Sequence, residues 1–197
     1  YTTLFRSGPS ARGISGFWPL VFRAWMMGGV GESAHSWENL QSRVQTMETP
    51  AALITGGARR LGKAIALELA NRGYDIALHY HTSHAEAVET QEIIQELGRN
   101  CRLFAADLSQ ADAADALLTD AQGAFPGLSV LVNNAAIFRP SSLAADTPDR
   151  LPEHLAVNFR APYVLMKQFH RLCRRGSIVC ILDAAIAGNR SSHVDYL

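Results

Sequence analysis

From Ala51 onward the chain alternates short apolar runs with longer stretches of helical period, and that alternation restricts its fold more than any other feature. Ala51–Thr55, Asp75–Tyr80, Cys101–Ala105, Leu128–Val132 and Ser177–Leu182 read as strands. Leu61–Asn71, Ala85–Leu97, Ala111–Ala124 and residues 153–174 read as helices between them. Gly73, Gly98 and the Pro126-Gly127 pair stop the first three helices. Short apolar strands separated by helices are βαβ units, which build a parallel sheet covered on both faces. The expected fold class is α/β, a doubly wound parallel sheet.

Composition changes near Met47. Residues 1–46 hold all three tryptophans and show neither helical nor strand period. Three arginines and no acid precede Glu32, a faint likeness to a transit peptide. The stretch is read as a disordered or non-native extension, and residues 47–197 as one domain. Lys+Arg and Asp+Glu both number 18, so the balance argues against a general nucleic-acid or membrane-surface binder. Phe17–Met27 is too short, and too interrupted by Pro19 and Arg23, to span a bilayer. Three cysteines without CxxC spacing point away from disulfides and zinc and toward a cytoplasmic setting.

The first strand-to-helix turn reads Thr55-Gly56-Gly57-Ala58-Arg59-Arg60-Leu61-Gly62. Glycines let backbone approach a pyrophosphate, and the following helix offers free N–H groups and a positive dipole end. Placed between a strand and a helix, this is a Rossmann-type dinucleotide loop. NAD-binding domains usually end the second strand on an acid that holds the ribose 2′-OH. Here the strand ends Tyr80-His81-Thr82-Ser83, with no acid until Glu86. That removes repulsion against a 2′-phosphate, for which Arg59, His81 and Ser83 are donors, so the expected cofactor is NADPH (NADP). His79, His81 and His84 are read as ordinary strand-end and loop histidines, with no metal site among them.

These motifs resemble the short-chain dehydrogenase/reductase family, whose signature here is T-G-x-x-x-G-x-G. Arg60 stands where the middle glycine would be, which is similar to the pteridine-reductase branch. The segment Leu78-His79-Tyr80-His81 is also similar to that branch. The resemblance implies that Arg60 reaches both the cofactor phosphates and the substrate side. It implies an adenine contact at Asp107-Leu108 and a cleft lined by Asn133 and Ala135. Ala136 departs from the family's Asn-Asn-Ala-Gly as that branch does.

The family's catalytic set is Asn, Ser, Tyr and Lys. Asn158, in Asn158-Phe159-Arg160-Ala161-Pro162, matches the relay Asn. Asp183 stands where most members place Ser, thirteen residues before Tyr196, as in the pteridine reductases. The resemblance makes Tyr196 the proton donor as hydride is delivered, and Asp183 a carboxyl able to serve a ring nitrogen. Phe138 matches an aromatic that stacks on a flat pterin, with a core-packing role as its alternative. The Lys four residues after Tyr196 would fall beyond Leu197. The sheet is therefore expected to be incomplete on its C-terminal side, and the chain as written inactive. The implied activity is reduction of a pterin-like or related carbonyl or imine substrate, in a homo-oligomeric parent. The alternatives are a 3-oxoacyl-carrier-protein-type reductase and a non-catalytic nucleotide-binding fragment.

Overall fold

A computed structural model of the chain describes residues 48–140, 149–173 and 175–182. The strands are β1 (Ala51–Ile54), β2 (Asp75–Tyr80), β3 (Cys101–Ala105), β4 (Leu128–Asn133) and β5 (Ser177–Cys180). Between them lie α1 (Arg60–Asn71), α2 (His84–Glu96) and α3 (Ala113–Ala124), then a helical run before β5. That run comprises α4 (Leu151–His154), a π-type stretch at Leu155–Arg160, and α5 (Ala161–Leu172). All strand pairs are parallel, in the order β3-β2-β1-β4-β5.

The side-chain alternation of β1 and β2 sorts the core into two layers. Ala51, Leu53 and Ala77 face Leu117, Leu118 and Ala121 of α3 together with Leu165 and Phe169 of α5. Ala52, Ile54, Ile76 and Leu78 face Ala66 and Ala70 of α1 and Ala87 and Ile94 of α2. Leu53, Ile54, Leu78 and Leu131 are fully buried, and each such side chain contributes about 2 kcal/mol of hydrophobic stabilisation. Small alanines on α1 and on the central strand let helix and sheet approach closely.

Helices α1 and α2 both end in Schellman turns. Gly73 (φ +94°) and Gly98 (φ +75°) take the left-handed position, with Tyr74 N–H on the Leu69 carbonyl and Arg99 N–H on that of Ile94. The other boundaries depart modestly from the expected ones. Helix α3 starts at Ala113 rather than Ala111, because Asp107, Ser109 and Gln110 form a hydrogen-bonded turn first. Strand β5 ends at Cys180, although Ile181 still donates to the Asn133 carbonyl at 2.9 Å.

The long helix expected over 153–174 is not uniform. Pro162 has no N–H to offer the carbonyl four residues back, on Asn158, and the ladder widens to a π-type turn over Leu155–Arg160. Among the described residues no helix is long and apolar enough to cross a membrane.

Candidate functional site

Strand order reverses between β1 and β4, and open parallel sheets bind ligands over the C-terminal ends of the strands at such a point. A cleft of about 510 Å³ lies there, walled by the β1–α1 turn, the end of β2, the turn after β3 and the segment after β4.

Thr55 leaves β1 fully buried and joins two of these walls. Its hydroxyl donates to the Val132 carbonyl at 3.3 Å and accepts the N–H groups of Asn134 (2.9 Å) and Ala135 (3.0 Å). The Asn134 side-chain amide donates in return to the carbonyls of Thr55 (2.9 Å) and Gly56 (3.0 Å). Gly56 has φ +63°, a left-handed backbone that disfavours any side chain. A Cβ on Gly62 would run into the Gly56 carbonyl and lie 2.7 Å from the Asn134 amide nitrogen, so only glycine lets α1 start this close to β1.

His79 closes the arrangement from the other side. It is 2% exposed. Its Nδ1 accepts the Gly56 N–H at 3.1 Å, and its Nε2 lies 3.1 Å from the Ala106 carbonyl. One nitrogen accepting and the other facing an acceptor defines a neutral imidazole with the proton on Nε2. Burial lowers the His79 pKa to about 4, against the raising effect of the bond to Ala106. The Gly57 N–H goes to the His79 carbonyl at 2.9 Å. The first two glycine N–H groups of the turn are thus spent within the protein. The donors left to an anion include those of the first turn of α1, which lack intrahelical partners.

Arg59, Arg60, Leu61 and Gly62 all line the cleft at that helix end. Among the described residues Arg60 is the one non-glycine with positive φ, at +51°. Holding it there costs about 1 kcal/mol. Arg59, His81 and Ser83 also line the cleft. Arg59 approaches Glu86 at 3.9 Å, with both side chains about half exposed (58% and 46%), so the pair binds weakly. Ser83 occupies the N-cap position of α2 but its hydroxyl makes no capping bond.

Asp107 and Leu108 line the opposite wall. The Ser109 N–H (3.0 Å) and the Gln110 side-chain amide (3.2 Å) donate to the Asp107 carboxylate. These bonds, led by the Ser109 N–H, hold its pKa at about 2. Ala135 is also in the cleft.

Three expected residues stand back from the cleft wall. Asn133 is buried instead, its amide nitrogen 3.6 Å from the Cys180 sulfur, while Asn134 takes the wall. Asn158 gives both ends of its amide to one residue: it accepts the Ile137 N–H and donates to the Ile137 carbonyl, each at 2.9 Å. Phe138 is 42% exposed, beside the lining residues Ile137 and Arg139. Asp183 and Tyr196 lie outside the described residues. Thr55, Asn134 and His79 are the site residues that the sequence reading did not single out. The available signal for His79 was a histidine inside an otherwise apolar strand, which needs partners when buried. Among the described residues no three His, Cys, Asp or Glu side chains gather to hold a metal ion.

Residues 50–193 match the family model described as short chain dehydrogenase. A 3-oxoacyl-[acyl-carrier-protein] reductase FabG of Aggregatibacter actinomycetemcomitans is 36% identical over 146 residues, which cover 70% of this chain and 59% of that protein. Among solved structures, FolM alternative dihydrofolate reductase 1 from Brucella canis, complexed with NADP, is 29% identical with a TM-score of 0.68. That similarity covers 75% of this chain and 61% of the other. A short chain dehydrogenase from Burkholderia cenocepacia in complex with NADP is 33% identical with a TM-score of 0.70, covering 76% of this chain and 62% of the other. The chain therefore spans about 60% of the length of these relatives.

Proposed function

The chain belongs to the short-chain dehydrogenase family, and from that premise we propose that the whole protein is a cytoplasmic NADPH-dependent oxidoreductase reducing a pterin-like or related carbonyl or imine substrate. The observation that carries this reading is the β1–α1 turn, which sets Arg60 against the cleft in a left-handed conformation that glycine would hold without strain. A planar guanidinium there suits both a phosphate and a flat heterocycle. The NADP named in the FolM and Burkholderia structures supports the cofactor.

The residues present fit such a dinucleotide. The Gly56–Gly62 contact leaves no room for a side chain between turn and helix, so the first turn of α1 can receive a pyrophosphate directly. Arg59, His81 and Ser83, which line the cleft past a strand end that carries no acid, would hold the 2′-phosphate. Asp107 and Leu108 bound the adenine, and Gly56, Leu61, Gly62 and Ala135 line the path between. When bound, the nicotinamide supplies hydride. Tyr196 donates the proton, Asp183 serves a ring nitrogen, and Asn158, fixed on Ile137, carries the relay. Asn133 supports the wall from behind, and Phe138, beside the lining residues Ile137 and Arg139, is the aromatic proposed to stack on a flat ring.

A second reading, reduction of a 3-oxoacyl thioester, is favoured by the likeness to FabG. Arg60 and Asp183 speak against it. Titration with NADPH and NADH, followed by assays with a dihydropterin and a 3-oxoacyl thioester, separates the readings. Faster turnover of the thioester would replace the pterin reading. Tight NADPH binding with no turnover of either substrate would leave a nucleotide-binding module.

The protein is also proposed to be a homo-oligomer. Leu151, Leu155, Phe159 and Tyr163 recur every fourth residue along the α4–α5 run, exposed by 45%, 51%, 68% and 50%. A contiguous apolar stripe of this kind marks an association surface. Light scattering should show Phe159→Glu at a lower mass than wild type; a monomeric wild type would refute the assignment.

A further inference from the structure

We propose that His79 is a positioning residue, whose imidazole ties the β1–α1 turn to the β3–α3 turn and so fixes the two sides of the dinucleotide cleft relative to each other. The inference rests on the cofactor reading above. Its basis is the arrangement around Gly56. Two side chains hold the two backbone polar groups of that residue: His79 accepts its N–H at 3.1 Å, and Asn134 donates to its carbonyl at 3.0 Å. The Gly57 N–H is held by the His79 carbonyl at 2.9 Å, so two consecutive N–H groups of the turn depend on one residue of β2.

Gly62, the third residue of α1, lies directly against the Gly56 carbonyl. A shift at Gly56 is therefore passed to the helix end that lines the cleft. The other imidazole nitrogen is 3.1 Å from the Ala106 carbonyl, one residue before Asp107 on the opposite wall. His79 is 2% exposed, so neither bond can be replaced by bulk water without opening the strand ends. An apolar side chain of similar size would fill the space and leave the Gly56 N–H and Ala106 carbonyl without these partners.

The test is NADPH titration of the whole protein as wild type, His79→Leu and His79→Asn. Leu retains bulk without polarity; the Asn amide oxygen takes nearly the place of Nδ1 and keeps an acceptor for Gly56. Loss of the bonds should weaken NADPH by at least about fivefold in the Leu variant, with Asn, which keeps the Gly56 bond and loses the one to Ala106, falling between Leu and wild type. A role in packing alone would not reproduce that order. Nitrogen NMR of the wild-type imidazole should show Nδ1 unprotonated, and Gly56 amide exchange should speed up in His79→Leu. The proposal is overturned if the Leu variant binds NADPH as wild type does, if folded His79→Asn is as weak as Leu, or if wild-type Nδ1 carries the proton. If His79→Leu does not fold, the Asn affinity and the wild-type imidazole spectrum decide. If the wild type does not bind NADPH, the cofactor reading falls, and the imidazole spectrum with Gly56 exchange still decides the role of His79.

Discussion

His79 Nδ1 accepts the Gly56 N–H at 3.1 Å, joining a buried histidine of β2 to the left-handed glycine that opens the β1–α1 turn. Because that nitrogen accepts, the fold requires the neutral ring, and a requirement for one protonation state makes stability depend on pH.

The direction follows from the pKa values. Folded His79 titrates at about 4, against 6.5 in the unfolded chain. Between these values the unfolded state binds the proton and the folded state does not. The stabilisation is complete above pH 6.5 and is lost as pH falls toward 4, by about 3 kcal/mol in total. His81 just past the end of the same strand, Asp107 on the turn after β3, and Arg59 and Arg60 on the β1–α1 turn are charged or titratable groups lining the same cleft. Urea unfolding of wild type and His79→Asn between pH 4 and 8 isolates the contribution of the histidine. Parallel curves would show that the acid sensitivity arises elsewhere.

Arg60 holds φ +51° where glycine would be unstrained. Arg60→Gly should therefore raise stability, by up to about 0.5 kcal/mol once the greater freedom of the unfolded chain is subtracted. The same change should weaken NADPH and reduce pterin turnover more than turnover of a simple ketone. Thermal unfolding and kcat/KM on both substrates check this together. A variant that is less stable and equally active on pterin would remove Arg60 from the substrate side.

Arg59 sits 3.9 Å from Glu86 at the rim of the cleft. The exposed pair contributes little, so Arg59→Ala should change unfolding stability by less than about 0.5 kcal/mol. A charge-assisted bond to a 2′-phosphate is worth more, and NADPH affinity should fall by roughly 1–3 kcal/mol while NADH binding barely moves. Calorimetric titration of both cofactors reads the difference. Equal losses would place Arg59 at the pyrophosphate instead.

Much of this architecture was legible because it is periodic. Ala51, Leu53, Ala52 and Ile54 announce a strand buried on both faces, and the glycine turn after them announces a ligand-binding crevice. His79 was not legible, because its meaning depends on Gly56, 23 residues before it, and Ala106, 27 residues after it. No local pattern reports such pairings. The pair Asn133 and Asn134 shows a finer limit. Adjacent residues at a strand end point to opposite sides, so a one-residue uncertainty exchanges the buried amide for the cleft wall. The π-type turn at Leu155–Arg160 had a visible cause in Pro162, but proline alone does not say whether a helix will kink, stop or widen.

The last prediction concerns Asp183 and Tyr196, thirteen residues apart in the sequence. If Tyr196 delivers the proton, Tyr196→Phe in the whole protein lowers kcat by orders of magnitude and leaves NADPH affinity nearly intact, because only the transition state loses an interaction. Asp183→Ser separates substrates rather than abolishing turnover. A carbonyl oxygen can take its proton from the tyrosine alone, whereas a ring nitrogen on a pterin needs a second acid placed beside it. The Ser variant should thus keep ketone reduction and lose most dihydropterin reduction. Steady-state rates on the two substrates measure the split, and equal losses on both would assign Asp183 a role common to all substrates, such as orienting Tyr196.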